Sequence, residues 1–92
     1  MEFTGKVGVW KGPAPWYFII VPGQLSRELQ DIQGIVTYGW GMIPARVVIG
    51  KTEWKTSLWP KDGHFIVPIK ATVQETEGLD EGDEVTVQLM IR

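Results

Sequence analysis

The last part of the chain shows a regular alternation of apolar and more polar residues. From Val85 to Ile91, every second residue is Val, Leu or Ile. A period of two predicts a strand with one buried face. Upstream, the apolar run 65–67 ends at Pro68, which cannot donate to a sheet ladder and so closes a strand. Residues 64–92 therefore predict a strand, a short helix, a glycine turn and a final strand.

Two short helices are predicted between strands. The first has apolar residues at i, i+4 and i+7 and a glycine at its end. The second covers residues 70–77, with capping-box spacing near its start and a glycine followed by leucine as its stop. The residues concerned are Leu25, Leu29, Ile32 and Gly34 for the first helix, and Thr72, Glu75, Gly78 and Leu79 for the second.

Short runs of apolar and alternating residues predict the remaining strands. Gly50 and Lys51 have the composition of a two-residue hairpin loop between two of them. The seven strands indicate a mostly β fold, namely a small closed β-barrel of six to seven strands with two short helices, because closure removes exposed sheet edges. The predicted strands are residues 3–10, 16–21, 35–41, 45–49, 52–58, 65–67 and 85–91.

The order of these patterns repeats along the chain. Pro22 and Pro68, which end two similar apolar runs, lie half a chain length apart, and each is followed by a helix and another strand. We interpret this order as two pseudo-symmetric strand-strand-helix-strand halves produced by internal duplication. The alternative is coincidence, because short apolar runs that end in proline are common.

Length, charge and composition limit the function classes. The chain has 92 residues, a formal net charge of −2 and no cysteine. These values predict one domain over residues 1–92, no disulfide framework and no thiolate metal site. No secretory signal and no apolar run of about 20 residues is present, so we expect a cytoplasmic protein with no membrane partner. The acidic stretch 75–84 is interpreted as a solvated turn, and neither a metal nor a cofactor is expected.

Several motifs follow one another in an order that resembles a known family. They are Gly39-Trp40-Gly41 and the blocks Val47–Pro60, Ile66–Val73 and Glu77–Val85. The chain, from Phe3 to Ile91, resembles a small bacterial family of domains of unknown function, often fused to a bacteriocin-protection (YdeI/OmpD-associated) domain. The resemblance implies a small closed β-barrel of double-split type and no established activity. Family members commonly carry a basic residue where this chain has Gln74, and the fused partner domain is missing, so the chain is either a stand-alone or an excised domain.

A second resemblance concerns nucleic acid. The strand, proline, short helix and Leu-x-x-Gly-Asp-x-Val turn are similar to AbrB-type swapped-hairpin DNA-binding domains. Those domains meet phosphates with basic residues on the barrel, whereas the corresponding turn here is acidic and the basic residues are scattered. Nucleic acid is therefore not the expected partner, and an AbrB-like nucleic-acid-binding barrel is kept as an alternative.

The aromatic residues are the first candidates for a binding site. Five tryptophans are present, and a set of indole rings could form a platform for a sugar, base or peptide. We assign Trp16 and Trp54 to the core, because a small barrel needs large side chains. We expect Trp40, between two glycines, and Trp59, beside a loop, to line a pocket.

The polar candidates are few. His64 is the only histidine, and a hydrolase-type triad would need Ser57 and Asp62 within its reach. No nucleophile motif is present, so we predict no catalytic residues and keep a hydrolase-type enzyme that uses His64 only as the less favoured alternative. Arg46 and Lys70 could fix an anionic ligand. The sequence thus predicts a non-enzymatic binding or interaction domain, as a monomer or homodimer, for a small anionic or aromatic ligand or a protein partner. Its predicted ligand-binding residues are Trp40, Arg46, Trp59, His64 and Lys70.

Overall fold

The fold is a closed antiparallel β-barrel with two helices. A computed structural model of the chain describes residues 1–36 and 41–91, with the backbone alone for residues 32–36. Around the barrel the strands follow the order β1-β2-β5-β4-β3-β6, and β6 returns to β1. The elements are β1 (Glu2–Trp10), β2 (Trp16–Ile20), α1 (Gly23–Val36), β3 (Ile43–Ile49), β4 (Thr52–Lys61), β5 (His64–Ile69), α2 (Ala71–Glu77) and β6 (Glu84–Ile91).

The barrel interior is filled by alternate residues of each strand, as a period of two requires. The prediction for the two clearest strands is confirmed: Trp54 and Leu58 of β4, and Val87 and Leu89 of β6, are buried, while their neighbours face outward. The core also includes side chains of the remaining strands and helices, namely Phe3, Val7, Ile19, Val21, Leu29, Ile43, Ala45, Val47, Ile49, Phe65, Val67, Ile69, Val73 and Leu79.

Both helices pack on the barrel through a few apolar side chains. α1 contacts β3 and β5, and its Leu29 is fully buried. α2 contacts β2 and β4 and buries Val73. α2 ends as predicted at Gly78, whose φ of 62° lies in the left-handed region and whose N–H faces the carbonyls of the last helical turn. Leu79 then turns back into the core.

Three local predictions are wrong. α1 continues to Val36, so Gly34 does not end it and the first part of the predicted strand 35–41 is helical. A glycine inside a helix costs only about 1 kcal/mol, which packing of the helix can offset. Gly41, the last residue of that predicted strand, lies in a turn, and residues 37–40 lie outside the described residues, within which the barrel has six strands. The capping box also fails, because the N-cap of α2 is Lys70 and Thr72 lies two positions too late. Finally, Pro68 does not close β5, which continues to Ile69.

The two halves have the same order of elements. Residues 2–49 give strand, strand, helix and strand, and residues 52–91 give the same series. Exchanging β1 with β4, β2 with β5 and β3 with β6 leaves every neighbouring pair of the barrel a neighbouring pair. This order is compatible with internal duplication, and the pseudo-symmetric halves stay a prediction.

Candidate functional site

One side of the barrel carries an apolar and aromatic surface on its outer face. In β2, Ile19 points into the barrel, so Trp16, Phe18 and Ile20 point outward. Their partners on neighbouring strands point the same way, since residues directly opposite in a ladder share a face. We call this surface, on β1, β2, β5 and β4, the aromatic face; it consists of Trp10, Trp16, Phe18, Ile20, Trp59 and Ile66.

The rings of the aromatic face touch one another. The Trp16 ring centroid lies 5.6 Å from that of Trp59, edge to face, and 5.4 Å from that of Phe18. These separations are those of favourable aromatic pairs. Trp10 and Trp59 nevertheless remain 42% and 44% exposed, and Ile20 remains 41% exposed. The surface is therefore ordered by its own contacts and still available to another molecule.

Two glycines make room for these rings. A Cβ at Gly8 would meet the ring of Phe18 at 2.6 Å, and a Cβ at Gly12 would overlap the ring of Trp10. Because neither glycine has a Cβ, each ring can lie against the backbone instead of standing away from it.

Two adjoining hollows lie on the aromatic face. The first, of about 420 Å³, is lined by Trp10, Trp16, Trp59, Pro60, Lys61 and Ile66. The second, of about 370 Å³, is lined by Phe18, Ile20, Lys61, Asp62, His64 and Ile66. Lys61 and Ile66 line both, so the hollows form one continuous groove along the strands, which we call the aromatic groove.

The side chains that line the first hollow offer hydrogen-bond donors. Within the described part of the chain, the indole N–H groups of Trp10, Trp16 and Trp59 have no protein acceptor. By contrast, the buried Trp54 donates its indole N–H to the carbonyl of Pro68 over 3.3 Å. Lys61 forms no ion pair with any described residue. The first hollow thus combines three apolar rings, their free N–H groups and one cation.

The residues predicted from sequence fall into separate regions. Trp59 lies in the first hollow and His64 in the second, where His64 Nδ1 is 3.3 Å from the carbonyl of Asp62. Arg46 pairs across the sheet with Lys55, which precedes Trp59 by four positions on β4, so Arg46 is remote from the first hollow by about 13 Å along the strand. The guanidinium of Arg46 contacts the carboxylate of Glu53 at 3.1 Å. Lys70 is the exposed N-cap of α2. Trp40 lies outside the described residues.

Sequence reasoning assigned one tryptophan wrongly and missed several groove residues. Trp54 is a core residue, 6% exposed, as predicted. Trp16 is not, because it points outward on β2 into the first hollow. Every residue of the run 16–21 is apolar or aromatic, so the sequence does not distinguish the inward positions from the outward ones. The alternation of Ile19 and Val21 inward with Trp16, Phe18 and Ile20 outward is visible only in the structure. The missed residues are Trp10, Phe18, Ile20, Lys61 and Ile66.

The geometry does not assemble the triad considered for a hydrolase. Ser57 lies on β4 four positions before Lys61, which is the strand partner of His64. At about 3.3 Å per residue, Ser57 and His64 are on the order of 13 Å apart, well beyond hydrogen-bond distance. Among residues 1–36 and 41–91, no group of three or more His, Asp or Glu side chains is placed to hold a metal ion.

Comparisons with known proteins give a family and no activity. The family model DUF1905, described as a domain of unknown function, matches residues 3–89. A comparison with curated proteins finds no match. The predicted resemblance to a domain-of-unknown-function family is thereby confirmed, while bacterial origin and fusion to a YdeI/OmpD-associated domain stay predictions. None of the described helices has the length and apolar character needed to cross a membrane.

Proposed function

The chain belongs to the DUF1905 family of domains of unknown function, and we propose that it is a non-enzymatic binding domain that holds a small aromatic, anionic ligand in the first hollow of the aromatic groove. The observation that carries this proposal is the convergence of Trp10, Trp16 and Trp59 around one hollow with Lys61 at its edge. Proteins of this size bury their tryptophans where they can, and three are kept at the surface here.

The chemistry of the hollow selects the ligand. Stacking of a flat ring on an indole contributes roughly 1–3 kcal/mol when measured by alanine substitution. A carboxylate on that ring can accept from the Lys61 ammonium and from an indole N–H, and hydrogen bonds to charged groups contribute about 1.5–3 kcal/mol. A neutral apolar molecule would gain only the first contribution, and a compact anion only the second. The proposed ligand therefore combines a ring with a negative group.

Three probes separate these contributions. We would titrate the protein with 2-naphthoate, with neutral 2-naphthol and with cyclohexanecarboxylate, following the indole N–H signals by NMR. The proposal predicts that 2-naphthoate binds most tightly and shifts the signals of Trp10, Trp16 and Trp59. The signal of Trp54 should stay in place, because its N–H is bound to Pro68. Equal affinity for all three probes would refute the ligand class.

Matched variants test the residues. Trp59→Ala should weaken 2-naphthoate binding about tenfold, which corresponds to about 1.4 kcal/mol. Lys61→Met should weaken it about tenfold or more, in line with the loss of a hydrogen bond to a charged group, and leave 2-naphthol unaffected, because the methionine keeps the apolar stem. Lys55→Met is the control, since Lys55 is exposed on the outer side of the same strand, six positions away. If Lys55→Met and Lys61→Met had the same effect, general charge rather than the hollow would explain binding.

The remaining expectations form part of the same proposal. We propose a cytoplasmic domain of bacterial origin that acts as a monomer or homodimer and has arisen by internal duplication into a double-split barrel. Arg46, His64 and Lys70 are not supported as ligands of the first hollow, because none of them lines it. His64 lines the adjoining hollow and could contact a longer ligand.

A further inference from the structure

The two hollows together make the aromatic groove longer than a small ring requires. Along β2 the groove extends from Trp16 in the first hollow to Ile20 in the second, which is about 13 Å at 3.3 Å per residue. A single fused ring system would occupy the first hollow and leave the second open. The second hollow is lined by Phe18, Ile20 and Ile66, so its floor is also apolar.

Building on the binding site proposed above, we propose that the partner that fills the whole aromatic groove is a proline-rich peptide segment in the polyproline II conformation. Such a segment rises about 3.1 Å per residue and repeats every three residues, so successive turns present prolines about 9 Å apart. Along β2, Phe18 and Ile20 of the second hollow lie two and four positions after Trp16 of the first, or about 7 and 13 Å at 3.3 Å per residue, and this range includes the proline repeat.

Hydrogen-bond and charge complementarity favour this partner over an ordinary extended peptide. The groove supplies the indole N–H groups and the Lys61 ammonium as donors, and among the described residues Asp62 is the one carboxylate that lines it. A proline residue has a carbonyl acceptor and no N–H donor. A peptide rich in other residues would bring backbone N–H groups that meet apolar rings, which leaves those donors without partners when they lose water.

The closed barrel also excludes the other common way to bind a peptide. Strand addition needs an edge with unpaired N–H and C=O groups. On the aromatic face, β1, β2, β5 and β4 are paired with one another, so this face offers no free strand edge. A peptide in the groove would therefore bind through its side chains and carbonyls. This is the mode by which aromatic-lined grooves recognise polyproline II helices.

The test uses two blocked nine-residue peptides, one with Pro-Pro-Gln repeated three times and one with Ala-Ala-Gln repeated three times. Each would be added to about 1 mM, enough to detect millimolar binding, while indole and backbone amide signals are followed by NMR. The proposal predicts that only the proline peptide shifts the signals of Trp10, Trp16 and Trp59 and the amides of Ile20 and Ile66. Trp59→Ala should weaken that binding at least tenfold, whereas Met90→Ala, an exposed apolar residue on β6, should not change it.

Each other outcome overturns the inference. If 2-naphthoate binds and the proline peptide does not, the small-ligand function stands and the peptide partner is wrong. If both peptides shift the same signals equally, the groove does not select proline. If neither the peptides nor 2-naphthoate bind, both proposals fail. If the indole signals move with protein concentration alone, the occupant is a second copy of the chain.

Discussion

Ser26 is the most informative single residue of the barrel for a stability test. It is fully buried in α1, with 0% of its surface exposed. Its hydroxyl accepts from the N–H of Phe65 at 3.1 Å and donates to the carbonyl of Val21 at 3.2 Å. Val21 N–H in turn donates to Phe65 O at 2.9 Å. The Ser26 hydroxyl therefore stands where the second ladder bond between Val21 and Phe65 would be.

This position explains how β2 leaves the sheet. Val21 and Phe65 continue the register of β2 and β5, in which Ile20 lies opposite Ile66. Instead of closing directly on the carbonyl of Val21, the N–H of Phe65 reaches it through Ser26 Oγ. The inserted hydroxyl lets the chain separate from β5 and enter α1 while the N–H of Phe65 and the carbonyl of Val21 both stay paired.

The cost of Ser26→Ala follows from these two bonds. The substitution leaves the N–H of Phe65 without an acceptor, and an unpaired buried group costs about 1–3 kcal/mol. Alanine is a better helix former than serine, and this offsets the loss of unfolding free energy by a few tenths of a kcal/mol. We expect a loss of about 2 kcal/mol in unfolding free energy. For a domain of this size, that corresponds to roughly 8–16 °C in Tm.

Thermal and urea denaturation would measure this loss, and hydrogen exchange would locate it. The amide of Phe65 should exchange faster in the variant, while amides at the centre of β3 should change only by the global loss. Thr76→Ala, at an exposed position of α2, is the control and should stay within about 0.5 kcal/mol of the parent. The reasoning would be refuted if Tm fell by less than about 2 °C and the Phe65 amide stayed protected from hydrogen exchange. The N–H of Phe65 would then have found another acceptor, by direct pairing of β2 with β5.

Three further predictions test the core, a turn and the alternative partner. Trp54→Ala should lower the unfolding free energy by about 3–5 kcal/mol in urea denaturation, because Trp54 is 6% exposed; an unchanged midpoint would contradict its place in the core. Gly50→Ala should lower the unfolding free energy more than Gly63→Ala does. Both glycines have positive φ, but only at Gly50 would a Cβ meet the carboxylate of Glu77. Equal losses of unfolding free energy would contradict an effect of that contact. Duplex DNA should give no salt-sensitive gel shift, because the net charge is −2; a shift at low salt would favour the AbrB-like alternative.

The sequence predicted the barrel because the barrel interior depends on local alternation. A period of two in β4 and β6 is visible without any knowledge of the partners of these strands, and Gly78 ends α2 for a reason that is local to the backbone. The end of α1 was missed because Gly34 can sit inside a helix when the helix is packed on strands. Packing of that kind depends on contacts distant in sequence, which a pattern along the chain does not contain.

The candidate site was only partly predictable because it depends on the order of strands around the barrel. Trp59 was chosen for its place beside a loop and His64 because it is the only histidine, and both lie on the groove. Trp10 and Trp16 line one hollow with Trp59 because β5 lies between β2 and β4 in the barrel. The pairing of β2 with β5 joins parts of the chain that are distant in sequence. A lone tryptophan in an apolar run gives no sign of which face of the barrel it will occupy.

The glycines of β1 and its following loop connect the fold to the site. Gly8 lies under the ring of Phe18, and Gly12 lies under the ring of Trp10. Neither glycine has a left-handed φ, so backbone conformation does not explain them. A side chain at either position would push a ring away from the barrel and change the shape of the groove, while the buried interior would be unaffected. Glycine at these two positions therefore lets the two rings lie against the backbone, so the shape of the aromatic groove depends on β1 and its following loop as well as on the residues that carry the rings.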